Sequence, residues 1–92
     1  MTLEELYEII IDRKKNPKQD SYVSSLFEEG LKKISQKVGE EASEVVIAAL
    51  SETKKRVVEE TADLWFHTLA LLAKLEITPK EILEELEKRH KK

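Results

Sequence analysis

The chain contains no cysteine. That excludes a disulfide framework and thiolate metal ligands, and it fits a reducing compartment, so a cytoplasmic setting is expected. Only two glycines and two prolines occur in 92 residues, too few to support a turn-rich all-β fold. No apolar run approaches the roughly 18 residues of a membrane span, and charge from Glu4 onward is unlike a secretory leader. No basic run stands out except Lys88-Arg89-His90-Lys91-Lys92, and the net charge is −3. Binding to nucleic acid is therefore not expected.

What the chain does have is charge, 38% of its residues, and apolar side chains, 40%, arranged at helical spacing. The length fits one small domain over residues 1–92, whose core is limited if it stays alone. Thr2 and Glu5 form a capping box, and Leu3, Leu6, Tyr7, Ile10 and Ile11 follow at helical intervals. A first helix is predicted from about Thr2 to about Lys15, ended by Asn16-Pro17. Residues 16–30 read as the one sizeable irregular segment. It is rich in hydroxyls, with Leu26 and Phe27 pinning its end and Ser25-x-x-Glu28 placed to cap a short helical turn.

A second helix is predicted from about Gly30 to Leu50, with Leu31, Ile34, Val38, Ala42, Val45, Val46 and Ala49 as its apolar stripe. Gly39 lies inside it, either as tolerated noise or to admit a close approach. After a short connection capped by Ser51 or Thr53, a third helix runs from about Glu52 to Leu75. The two should form an antiparallel hairpin. The third helix is apolar over most of its circumference, and its narrow polar strip holds Arg56, Glu59, Glu60, Asp63, His67 and Lys74. Thr78-Pro79-Lys80-Glu81 starts a fourth helix, whose charged end from Glu87 to Lys92 is expected to fray. The expected class is all-α with four to five helices. A single chain has too little surface to cover the third helix, so a homodimer with a four-helix core is expected.

Two acidic pairs sit on that hairpin, Glu41-x-x-Glu44 preceded by Glu40, and Glu60-x-x-Asp63 followed by His67. Residues three or four apart share a helix face, so each pair aims two carboxylates one way. Four carboxylates in one small volume repel one another unless a cation fills it. An oxygen-rich, histidine-poor set suits Mg²⁺, with Mn²⁺ as the alternative. A di-iron site would want Glu-x-x-His on two helices; here one Asp63 to His67 step of four occurs. Lys37, one turn before Glu41, can meet a phosphate.

Residues 21–49 (SYVSSLFEEGLKKISQKVGEEASEVVIAA), 59–72 (EETADLWFHTLALL) and 81–90 (EILEELEKRH) closely resemble the phosphoribosyl-ATP pyrophosphohydrolases of histidine biosynthesis. These belong to the wider MazG-like all-α nucleoside-triphosphate pyrophosphatases. The resemblance implies a Mg²⁺-dependent hydrolase that splits phosphoribosyl-ATP into phosphoribosyl-AMP and pyrophosphate. It matches Glu41, Glu44, Glu60 and Asp63 to metal-binding acids, and Glu40 to a further acid that binds metal or orients water. Ser21, Tyr22 and Lys37 fall at positions for phosphate or substrate contact, and His67 is a further substrate-binding candidate whose other reading is a histidine at the core edge. Either Glu41 or Glu44 is placed to take a proton from the attacking water. Lys18, Ser24, Arg89 and His90 join Ser21 and Tyr22 as candidates to grip the second ribose phosphate that ATP lacks. Val23, Glu29 and Phe66 depart from the usual Thr, Lys and Tyr, outside the acidic core. Many relatives are fused to a cyclohydrolase; the length here implies a separate phosphoribosyl-AMP cyclohydrolase as functional partner. Two other readings share the pattern: a MazG-like enzyme for ordinary or damaged nucleotides, and a non-enzymatic helical dimerisation module.

Overall fold

A computed structural model describes residues 1–90, which form five helices and no strand. Lys91 and Lys92, the last part of the expected fraying end, lie outside the described residues. Among the described residues no helix is long and apolar enough to cross a membrane.

Helix α1 spans Leu3–Lys15. Its capping box is formed on both sides: the Glu5 N–H donates to Thr2 Oγ1 and the Thr2 N–H donates to Glu5 Oε1, each over 3.0 Å. Tyr7 and Ile10 form its buried face, and the Tyr7 hydroxyl donates to the Ile77 carbonyl over 2.7 Å.

The segment read as irregular contains a helix, α2 (Tyr22–Glu29). Its cap is Ser21, whose Oγ accepts from the Ser24 N–H at 3.2 Å, while the Ser25 hydroxyl instead donates to the Tyr22 carbonyl. Eight residues cannot hold a helix by local propensity alone. Tertiary burial makes the difference: Leu26 is fully enclosed, with Val23 and Phe27 packed beside it. Burying a leucine side chain contributes about 1.5–3 kcal/mol, comparable to the cost of the short helix.

Gly30 joins α2 to α3 (Leu31–Ser51) at φ 96° and ψ −176°, a region that essentially only glycine occupies. Helix α3 thus starts one residue later than predicted. After Glu52 and Thr53 the chain enters α4 (Lys54–Lys74), and the cap is Thr53, whose Oγ1 accepts from the Arg56 N–H at 3.2 Å. So short a connection between two helices that pack along each other makes an antiparallel hairpin, the most extensive helix pairing in the molecule. Helix α4 ends in a Schellman motif: Ile77 N–H reaches Leu72 O at 2.9 Å and Glu76 N–H reaches Ala73 O at 3.2 Å. Thr78 and Glu81 then open α5 (Pro79–His90) as expected, and α5 packs lightly on α1.

The core gathers Tyr7, Ile10, Leu26, Ile34, Leu69, Ala70 and Ala73. It therefore lies between α1, α2, the first turns of α3 and the last turns of α4. The other end of the hairpin is bare. Of the predicted α3 stripe, Leu31, Val46 and Ala49 are exposed, and Ile47, Leu50, Val58 and Trp65 are exposed beside them. The third predicted helix packs on both α3 and α1 and gives Leu69, Ala70 and Ala73 to the core, while Val58 and Trp65, nearer its start, stay exposed. The radius of gyration, 14.4 Å, exceeds the roughly 12 Å expected for a compact domain of this length.

Candidate functional site

Lys37, Glu41 and Glu44 recur on one face of α3, and Arg56, Glu60, Asp63 and His67 on one face of α4. The antiparallel hairpin turns these faces toward each other. Glu41, Glu60 and Asp63 each bring a carboxylate oxygen within 4.8 Å of the other two. Asp63 is exposed, but Glu41 and Glu60 keep only 6% and 5% of their surface. Glu41 Oε2 and Glu60 Oε2 are buried with no hydrogen-bond partner among the described residues. Buried carboxylate oxygens without partners are costly. Their other oxygens are served by cations from outside the cluster. Lys37 Nζ lies 3.4 Å from Glu41 Oε1, and Arg56 reaches Glu60 Oε1 while also pairing with Glu59 at 2.7 Å and Glu52 at 3.8 Å. What is left is a converging set of hard oxygen atoms that no lysine, arginine or backbone N–H among the described residues reaches. A hard divalent cation fits that set by charge and by ligand type.

Glu44 stands at the exposed rim of this cluster. Hydrogen bonding to Glu60 and Glu41, followed by their negative charge, pushes its acid up to about 7. It is brought beside the acids, although it is not among the three whose oxygens converge most closely. Glu40 lies outside them, exposed, accepting from Gln36 Nε2 at 3.1 Å and standing 3.7 Å from Lys37. Burial alone would lower the Lys37 ammonium, but Tyr22, Glu40 and Glu41 together hold it above its ordinary value.

His67 is almost fully buried and uses both ring nitrogens inside the chain. Nδ1 lies 2.7 Å from the Asp63 carbonyl and Nε2 lies 2.8 Å from the Tyr22 hydroxyl. A carbonyl only accepts, so Nδ1 carries the proton; in that tautomer Nε2 accepts the Tyr22 hydroxyl proton. The Tyr22 ring also stacks on Phe66, centroids 6.1 Å apart. Burial raises the Tyr22 phenol above its ordinary value. Ser21 caps α2 one residue earlier, so these contacts hold the start of α2 beside the acids. Arg89, a candidate for phosphate contact, instead pairs with Glu85 on its own helix at 3.0 Å, and His90 follows it in the last turn of α5.

Arg56 is the residue whose part the sequence concealed. It reads there only as one polar position on α4, although its place four residues before Glu60 is the spacing at which a helix pairs opposite charges. Without it Glu60 would have no cation on either oxygen among the described residues.

A family model described as Phosphoribosyl-ATP pyrophosphohydrolase matches residues 3–90. A "Phosphoribosyl-ATP pyrophosphatase" of Geotalea daltonii is 48% identical over 87 residues, covering 95% of this chain and 82% of its own length. One of the same name from Sulfolobus acidocaldarius is 46% identical over 90 residues, 98% of this chain and 95% of its own. A "Histidine biosynthesis bifunctional protein HisIE" of Caldanaerobacter subterraneus is 50% identical over 90 residues, 98% of this chain but 44% of its own length.

Proposed function

The chain belongs to the phosphoribosyl-ATP pyrophosphohydrolase family, and on that premise we propose that it hydrolyses phosphoribosyl-ATP to phosphoribosyl-AMP and pyrophosphate at the α3–α4 acids. The observation that carries the site is the pair of orphaned buried oxygens, Glu41 Oε2 and Glu60 Oε2. Glu41, Glu60 and Asp63 would hold Mg²⁺, with Glu44 completing the set from the rim. Such an ion would supply positive charge against the polyphosphate and lower the pKa of a water molecule beside it.

The chain's own residues do the rest. Lys37 neutralises Glu41 on one side and offers its remaining N–H groups to a phosphate oxygen. Arg56 does the same from the Glu60 side. Glu41 or Glu44 is placed to receive a proton from water, and Glu40 orients water from the next turn. Ser21 and Tyr22 contact substrate, with His67 fixing the Tyr22 hydroxyl. The exposed Val46, Ile47, Leu50, Val58 and Trp65 support a homodimer in which two hairpins form a four-helix core. The bifunctional relative, matched over 44% of its length, supports a working partnership with a phosphoribosyl-AMP cyclohydrolase.

The test is ³¹P NMR of phosphoribosyl-ATP turnover with Mg²⁺ in H₂¹⁸O. Pyrophosphate and phosphoribosyl-AMP should be the only products, with ¹⁸O on one of them marking the attacked phosphorus. Glu41→Gln, Glu60→Gln and Asp63→Asn should each lose about 10²-fold or more in kcat while keeping their helical content. Near-wild-type turnover in all three would refute the site. Comparable efficiency on ATP or dCTP would move the assignment to a general nucleotide pyrophosphohydrolase.

A further inference from the structure

A cavity of about 660 Å³, lined by none of the acids of the α3–α4 site, lies between the last turn of α1, the connection to α2, α2 itself and the last turn of α4. Arg13, Lys14, Lys18 and Lys74 line it, against Asp20 and Glu28 alone. In a chain of net charge −3, this is a local reversal of sign. Lys14, Lys18 and Lys74 have no carboxylate within ion-pairing distance among the described residues; only Arg13 has one, Asp12 at 2.8 Å. Unpaired ammonium groups converging on one concavity raise the local concentration of anions.

The cavity is also built. Ser24 is buried, and its Oγ accepts from the Lys18 N–H at 3.0 Å and lies 3.5 Å from the Arg13 carbonyl, which ties the connection to α1. Lys14 Nζ donates to the Ala73 carbonyl at 2.8 Å, which ties α1 to α4 and still leaves two of its N–H groups. Ser21 Oγ accepts from Ser24 N–H, so its own hydroxyl proton remains to be donated. The first turn of α2 carries no charged side chain, and the positive end of its dipole adds to the same field.

We propose that this cavity is a subsite for a dianionic phosphate monoester, and that its occupant is the second ribose phosphate of the substrate. The assignment of the occupant rests on the reaction proposed above. Placement supports it. Lys74 lies about three helical turns beyond Asp63 on α4, on the order of 16 Å at 1.5 Å per residue. That is the scale of one extended nucleotide carrying a further phosphoribosyl group. The start of α2 bridges the gap, because Ser21 lines the cavity while Tyr22, the next residue, is bonded to His67 one turn from Asp63. A polyphosphate at the acids and a monoester at the lysines engage opposite ends of one molecule. ATP reaches only the first.

The test has a binding arm and a kinetic arm, both on the full chain, with the Lys18→Gln, Lys74→Gln double variant checked for unchanged helicity. In the binding arm, ribose 5-phosphate is titrated without metal into ¹⁵N-labelled protein. Amide shifts at Lys18 to Ser25 and around Lys74 are expected, with affinity at least ~10-fold weaker in the double variant. Shifts absent at millimolar ligand, or equal affinity in the variant, would overturn the subsite whatever the reaction is. Inorganic phosphate binding as tightly as ribose 5-phosphate would overturn the substrate assignment in favour of a site for free phosphate. In the kinetic arm, the kcat/KM ratio of phosphoribosyl-ATP to ATP is expected to fall at least ~10-fold in the variant, mostly through KM. A wild type that turns over phosphoribosyl-ATP and a variant with the same ratio would overturn the subsite and leave the proposed reaction standing. A wild type with no such turnover would overturn both the reaction and the named occupant.

Discussion

The Tyr22 hydroxyl stands 2.8 Å from His67 Nε2, and this hydrogen bond joins α2, an eight-residue helix, to the buried face of α4 beside the acids. Removing the hydroxyl leaves a buried imidazole nitrogen without its donor. Tyr22→Phe keeps the stacking on Phe66 and should cost about 0.5–1.5 kcal/mol, or several degrees in Tm by circular dichroism. Under the proposed reaction it should also raise KM for phosphoribosyl-ATP. An unchanged Tm would mean that the bond contributes nothing net.

The proton held by Glu44 makes a pH prediction with a definite sign. Its folded-state acid lies at about 7, raised from 4.5. A raised acid contributes stability that is complete below the unfolded value and is lost as pH rises through the folded one. Metal-free protein should therefore lose Tm between about pH 4.5 and pH 7, and Glu44→Gln should flatten that part of the profile. A cation in the cluster competes with the Glu44 proton, so stabilisation by Mg²⁺ should be small at about pH 5.5 and grow toward pH 8. Equal Mg²⁺-induced Tm shifts at both pH values would contradict this.

Three backbone substitutions should act with different signs. Gly30 has φ 96°, so Gly30→Ala should destabilise by about 1–3 kcal/mol, although nothing lies within 4 Å of the added methyl. Gly39 is helical with the same open surroundings, and Gly39→Ala should stabilise by about 0.5–1 kcal/mol; within this chain no close approach requires that glycine. Glu76 holds φ 60° in the Schellman motif, so Glu76→Gly should stabilise by up to about 1 kcal/mol. Urea titrations of the three variants, read at equal m-values, give these differences directly.

The exposed apolar end of the hairpin yields the assembly prediction. At micromolar concentration the protein should sediment at twice its 10.7 kDa chain mass. Val58→Glu should shift it toward monomer and move Trp65 fluorescence to longer wavelength, since both side chains are more than half exposed in a single chain. A folded wild-type monomer at that concentration would overturn the dimer.

The order of residues by itself determined four of the five helices and which faces of them carry acid. Capping at Thr2, Thr53 and Thr78, the Asn16-Pro17 stop and the three-and-four spacing of acids are all local, and each acts within a turn or two of its own position. Tertiary structure alone decided the rest. Helix α2 exists because Leu26 is enclosed by other helices, a gain no eight-residue window contains. The buried face of α4 is Glu60, His67, Leu69, Ala70 and Ala73 rather than its largest apolar residue, Trp65, which stays exposed because nothing in the single chain covers that side. Along the chain Arg13 and Lys14 read as ordinary surface cations, Lys74 as one position of a polar strip, and Lys18 alone of the four as a candidate phosphate contact. They share one cavity because α1 and α4 pack side by side, and charges distant in sequence gain a common field only when the fold brings them together.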